Sequence, residues 1–211
     1  MTALELFNVI FVVALALVWW RLHDAAHPGA GAGRDGGHYL AMSGLLVAGL
    51  PAPAEQQGGS RRLNDALGRI QRAGGYGETT AFVAEAKQTY EQVVDAFARG
   101  NIDGVARLLT DGVRQDFERF IAARQQRGET QALTFIGFRG AEIVDATYEA
   151  EMASIEMRFL ADLVSVTRDA DGKIIAGHPD RVAECAELWT FEYCSGRNSK
   201  GWRLAATDTD E

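Results

Sequence analysis

The chain has 211 residues, 47% hydrophobic and 24% charged, a composition that suits one globular domain with additional segments. Its two cysteines, Cys185 and Cys194, are too few for a disulfide framework and are read as reduced thiols. The formal net charge of −8 is unevenly placed: residues 78–211 carry 15 Lys and Arg against 24 Asp and Glu, whereas residues 1–77 carry 6 against 5. An acidic domain repels nucleic acid, which requires clustered basic surface, so that class of partner is excluded.

From Phe7 to Trp20 the only polar side chain is Asn8, and the run ends in Trp19-Trp20-Arg21. Leu4 to Trp20, as a helix rising about 1.5 Å per residue, reaches roughly 25 Å, just within the range that spans a bilayer. Aromatic then basic residues mark a membrane–water interface. No Lys or Arg precedes the run and no small-residue cleavage site follows it directly, which argues against a secretory signal. Residues 1–22 are therefore expected to be a transmembrane anchor. Arg21 and Arg34 follow the span while Glu5 alone precedes it, a charge bias that places the rest of the chain in the cytoplasm.

Residues 23–59 read as a flexible linker. His27 to Gly37 is Gly/Ala-rich, Tyr39 to Leu50 is apolar but too short to span a membrane, and Pro51 to Gly59 is again linker-like. Residues 60–77 read as a basic amphipathic helix and a connection. Ser60 is the expected cap, and Leu63, Ala66, Leu67 and Ile70 form one apolar face. Arg61, Arg62, Arg69 and Arg72 against Asp65 leave this helix at +3. Beside a membrane anchor, those arginines are candidates for contact with anionic phospholipid headgroups. The alternative is an ordinary helix packed on the domain.

The folded domain is expected at residues 78–211. A long helix starts at Thr79 or Thr80, with Phe82, Val83, Ala86, Tyr90, Val93, Val94 and Phe97 on one face, and ends at Gly100. Asn101 caps a short helix carrying Ile102, Val105, Leu108 and Leu109. Thr110 or Asp111 caps a third, with Val113, Phe117, Phe120 and Ile121 inward. The pattern then switches to period two. Strands are expected at Leu133 to Tyr148 (with Gly137 and Gly140 permitting a bulge), Ala153 to Thr167, Val182 to Cys194 and Trp202 to Thr207. Helices followed by antiparallel strands predict an α+β fold, three helices covering one face of a curved, mostly antiparallel four-stranded sheet. Such a layout encloses a space between helix and sheet.

Little in the sequence suggests chemistry. The four histidines are scattered, no Cys/His spacing suggests zinc, and neither a phosphate-binding glycine loop nor a nucleophile elbow appears. No cofactor and no enzymatic activity are expected. Glu187 is the exception that needs weighing. Strand alternation sets it on one face with Cys185, Trp189 and Phe191, where an apolar setting would raise its pKa and suit it to act as a general base. Tyr90, Phe159, Cys185, Glu187, Trp189 and Phe191 are the candidate pocket-lining residues.

The stretches FVAEAKQTYEQVVDAFARG (82–100), VARLLTDGVRQDFERFIAARQQRG (105–128) and RFLADLVSVTRDADGKIIAGHPDRV (158–182), followed by Glu187-Leu188-Trp189-Thr190-Phe191 and Trp202-Arg203-Leu204, resemble the Tim44-like domain family, whose namesake anchors the mitochondrial import motor at the inner membrane. The resemblance covers about Arg62 to Thr207. It implies a nuclear-transport-factor-two-like cone, a non-enzymatic binding module, anionic phospholipid as a ligand, and a preprotein or membrane-complex partner. The chain lacks the long coiled region by which the mitochondrial subunit recruits its chaperone, and it lacks an Arg/Ser-rich transit segment. The expected setting is a single-pass protein of a bacterial inner membrane with its domain on the cytoplasmic face. An assembly factor for an inner-membrane complex is the second binding class; an isomerase-like enzyme using Glu187 is the rival.

Overall fold

The computed structural model describes residues 53–194 and 201–210. The expected anchor, the Gly/Ala tether, the apolar stretch at 39–50 and most of the expected turn at 196–201 lie outside the described residues. Helix α1 (Pro53–Arg72) is followed by α2 (Thr79–Arg99), a 3-10 turn (Asp103–Leu108) and α3 (Asp111–Gln126). Five strands complete the chain: β1 (Thr130–Glu149), β2 (Met152–Arg168), β3 (Ile174–Gly177), β4 (Ala183–Cys194) and β5 (Arg203–Thr209). The expected α+β order, helices before antiparallel strands, is present.

Three expectations need correction. Ser60 does not cap a helix, because α1 begins seven residues earlier at Pro53 and runs through the supposed linker. The short helix expected after Asn101 is present and winds as a 3-10 turn, with Asn101 Oδ1 accepting the Asp103 N–H at 2.9 Å. Phe120 stays half-exposed under the Arg119 guanidinium, 5.8 Å from its ring centre, while Val113, Phe117 and Ile121 at four-residue spacing take the core. The sheet has five strands, not four, because Ile174–Gly177 pairs with the end of β2.

The sheet runs β1-β2-β4-β5, every pair antiparallel, with β3 and β4 following one another along the same edge of β2. Where the chain leaves β3, Gly177 has φ of 76°, and a Cβ there would lie 1.9 Å from the Ser165 carbonyl oxygen. Only glycine fits so close a backbone approach.

Strand β1 is the element that shapes the sheet. Its register against β2 slips between Phe135 and Gly137, between Phe138 and Gly140, and between Ile143 and Asp145. Each slip inserts one unpaired residue, bends the strand and resets which face the next residues occupy. That is how Phe135, Phe138, Ala141, Ile143, Ala146 and Tyr148, several at odd spacing, all pack on the core. Strand β2 needs no such device: Ala153, Ile155, Met157, Phe159, Ala161 and Leu163 alternate inward as the sequence predicts, all buried. Helices α1 and α2 lie across this inward face.

The ends of the elements are tied by specific contacts. Gly100, in the left-handed conformation, caps α2 by donating its N–H to the carbonyls of Ala96 and Phe97. Arg124 of α3 reaches the same helix end and donates to the carbonyl oxygens of Phe97 (2.8 Å) and Ala98 (3.0 Å), with its guanidinium 5.4 Å from the Phe97 ring centre. It adds a second donor to the Phe97 carbonyl and serves that of Ala98, one of the last carbonyls for which a helix terminus has no intrahelical partner. Arg124→Ala is expected to lower the unfolding free energy by about 2 kcal/mol, read as a fall in the denaturation midpoint at unchanged slope. Trp202 donates its indole N–H to the Gly75 carbonyl (2.6 Å), which ties the start of β5 to the connection between α1 and α2.

Candidate functional site

Tyr90 on α2, Phe159 on β2 and Cys185, Glu187, Trp189 and Phe191 on β4 converge where α2 crosses the sheet. β4 places its four residues there by alternation, and Phe159 is the register partner of Glu187. Tyr90, Phe159, Trp189 and Phe191 are buried and belong to the main core. The Tyr90 ring lies 4.6 Å from Trp189, 5.0 Å from Phe159 and 5.3 Å from Phe138, centre to centre. At these separations the rings fill the space between helix and sheet with one another.

Glu187 is the polar exception within this enclosure. Its Oε2 accepts the indole N–H of Trp189 at 3.1 Å. The Tyr90 hydroxyl is close enough for the two groups to perturb each other, yet it forms no hydrogen bond of acceptable geometry. Burial is the main cause that raises the Glu187 pKa above the ordinary carboxylate range; the Trp189 and Tyr90 dipoles oppose it in part. The residue as a whole is half-buried. Burial and the Glu187 charge also push the Cys185 thiol up to about 12, so it stays neutral and is a poor nucleophile or metal ligand. Tyr90 is raised for the same two reasons, burial first.

A carboxyl whose folded-state pKa is raised stabilises the fold in its neutral form. That contribution is complete below the ordinary pKa of 4.5 and is lost as pH rises through the higher folded value. Glu187→Gln, neutral at every pH, is therefore expected to be more stable than the parent at neutral and alkaline pH and nearly equal to it in acid. Thermal unfolding across pH checks this; a variant less stable at neutral pH would show that the carboxylate is held as an anion.

The arginine candidates occupy a different surface. At about 100° per residue, Arg61, Arg62, Arg69 and Arg72 fall within an arc of roughly 100° on α1, opposite Leu63, Ala66, Leu67 and Ile70. Ile70 is fully buried, and the other three pack against the core. The apolar face of this helix therefore belongs to the domain and is not free to enter a membrane. All four arginines are exposed, and among the described residues none forms an ion pair, although Asp65 shares their face. Arg69 lies 5.4 Å from the Tyr148 ring centre.

The face of the sheet turned away from the helices has the opposite sign. Asp145 sits directly across from Glu156, a like-charge pair that destabilises a sheet. Burial, then Asp145 and Asp208, hold the Glu156 carboxyl above its usual range. Arg158 bridges Glu142 (3.0 Å) and Asp210 (2.8 Å), and Arg139 bridges Asp162 and Glu184. Asp208 and Asp210 lie alongside Glu156 and Arg158 only because β5 pairs with β4 and β4 with β2. A separate open hollow of about 230 Å³, lined by Asn101, Ile102, Asp103, Glu118, Ile121 and Gln125, lies between the end of α2 and α3. Among the described residues no group of three metal-ligating side chains comes together.

A family model described as the Tim44-like domain matches residues 65–209. A solved structure, the intermembrane space region of the chloroplast protein ARC6, is similar at 15% identity and a TM-score of 0.39 over 60% of this chain and 95% of that one. No curated protein matches the sequence significantly.

Proposed function

The chain belongs to the Tim44-like domain family, and from that premise we propose that it is a membrane-anchored, non-enzymatic binding module that meets anionic phospholipid through the arginine face of α1. The domain is a nuclear-transport-factor-two-like cone, a reading supported by the three bulges that curl β1 around α2. Residues 1–22 are the anchor, the setting is a bacterial inner membrane, and the domain lies on the cytoplasmic face. The partner is a preprotein or a subunit of a membrane complex.

The observation that carries this reading is the exposed arginine face, which has no acid partner among the described residues on a domain whose opposite face is acidic. That charge separation orients the domain in the field of an anionic leaflet: basic helix toward the lipid, acidic sheet away. Because the apolar side of α1 packs on the core, the contact is electrostatic rather than insertive. The enzyme reading needs Glu187 ionised, and desolvation works against the ionised form.

The test is co-sedimentation of residues 53–211 with vesicles of neutral or anionic lipid. Binding that requires anionic lipid and falls as salt is raised supports the proposal. Absence of binding to either composition removes the lipid-facing role and leaves α1 as a packing element.

A further inference from the structure

We propose that the free edge of β1 over residues 130–136 docks a second copy of this chain, the two β1 strands pairing antiparallel about a two-fold axis centred on Leu133. β1 ends the sheet order β1-β2-β4-β5, and among the described residues its backbone pairs with β2 alone. The opposite edge, β5, is shorter and is joined at the start of α3, where Thr110 donates its N–H to the Leu204 carbonyl at 2.9 Å. An unpaired edge is a template for another strand, and proteins blunt it with charge, proline or bulges. From Gly137 onward β1 is blunted in this way, by register slips and by Arg139, Glu142, Asp145 and Glu149. The residues before it, Thr130 to Ile136, include no charge, proline or glycine, and from Thr130 to Phe135 their register against β2 is unbroken.

This segment is complementary to itself. With Leu133 opposite its own symmetry mate, Gln131 meets Phe135 and Ala132 meets Thr134, so half-buried positions meet half-buried and exposed meet exposed. Thr130 and Ile136 close the two ends. No like charges face one another, which matters for an acidic domain that repels its own copies elsewhere. Leu133 is half-buried and stands outside the main core, and Ile136 is 54% exposed. Both gain neighbours across the axis. Antiparallel self-pairing sets that axis normal to the sheet, so both helical layers stay on one side and both acidic faces on the other. A second copy thus keeps two arginine faces toward one bilayer, a symmetry that a strand from another protein does not supply. This orientation rests on the lipid-facing reading of α1; the pairing itself does not. The paired edge is only about 23 Å long, a weak contact that shared confinement in a membrane strengthens by raising effective concentration.

The experiment places the full chain, carrying one fluorophore on the exposed Cys194, at low density in neutral and in anionic bilayers and counts bleaching steps per spot. Two-step spots are expected to predominate in both. Ala132→Lys with Thr134→Lys, at two exposed positions, sets like charges across the axis and is expected to weaken association by about tenfold or more. Ala132→Lys with Thr134→Glu sets opposite charges there and is expected to restore it. Single-step spots in the parent, two-step spots that persist in the double lysine variant, or no recovery in the lysine–glutamate variant overturns the edge dimer. Two-step spots in neutral lipid, without salt-sensitive binding to anionic vesicles, support the dimer and remove the arginine reading; the reverse pair of results removes the dimer alone.

Discussion

Truncation of Phe159 to alanine is expected to destabilise the domain by about 3–5 kcal/mol, against a total that for domains of this kind is about 5–15 kcal/mol. Phe159 is fully buried in the middle of β2, with β1 on one side and β4 on the other. Its ring meets Tyr90 at 5.0 Å, Phe138 at 5.5 Å and Trp189 edge-on at 5.8 Å. Removing it takes apolar area out of the core and leaves a void that three other large rings, anchored on separate elements, are poorly placed to collapse into. Urea unfolding measures the loss. Ile136→Ala is the control, because that side chain is 54% exposed and its truncation should change stability by no more than about 0.5 kcal/mol. A Phe159→Ala loss below about 1 kcal/mol would show that the helix–sheet space is not packed as described.

Replacing Arg61, Arg62, Arg69 and Arg72 together by glutamine is expected to act on binding and hardly on folding. Each basic side chain near an anionic surface contributes up to about 1 kcal/mol, so the four account for as much as about 4 kcal/mol, or on the order of a thousandfold in vesicle affinity. The effect should be largest at low salt. Stability should fall only by the Arg69–Tyr148 contact, about 0.5–1 kcal/mol for an exposed cation over a ring. Vesicle titration and urea unfolding of the same protein separate the two effects. A variant that unfolds without loss of affinity would reassign these arginines from lipid contact to packing.

The parts of the fold legible in the sequence are those in which one periodicity holds along a whole element. The three-and-four spacing of Phe82, Ala86, Tyr90 and Val93 gave α2, and strict alternation from Ala153 to Leu163 gave the inward face of β2. Gly137 and Gly140 signalled where β1 would bulge, and the register slips there. The third slip, beside Val144, carries no glycine and was invisible. So was the tight β1–β2 turn, made by Ala150 and Glu151, both at positive φ where Asn-Gly would have announced it. β3 was missed because four residues are too few to show a period, and its pairing depends on Gly177 meeting β2.

The candidate site was partly legible for the same reason. Alternation along β4 grouped Cys185, Glu187, Trp189 and Phe191, and helical spacing supplied Tyr90 from the facing element. What one dimension could not give was closeness: that the rings pack against one another, that Trp189 donates to Glu187, or that the Tyr90 hydroxyl is left without a partner. The arginine helix shows the same limit. Its two faces could be read from the sequence, but whether the apolar face met lipid or protein depended on where Ile70 is buried.

The most direct test of the account is the orientation of the domain at the membrane. A single fluorophore is attached through cysteine at position 62 on α1, or at position 142 on the outer face of the sheet, in the full chain with Cys194 replaced by serine and Cys185 left in the core. The protein is reconstituted in anionic bilayers carrying a headgroup quencher. The account predicts strong quenching at position 62, relieved by salt, and little at position 142. Equal quenching at both positions, or stronger quenching at 142, would contradict a domain held to the membrane by its arginine face.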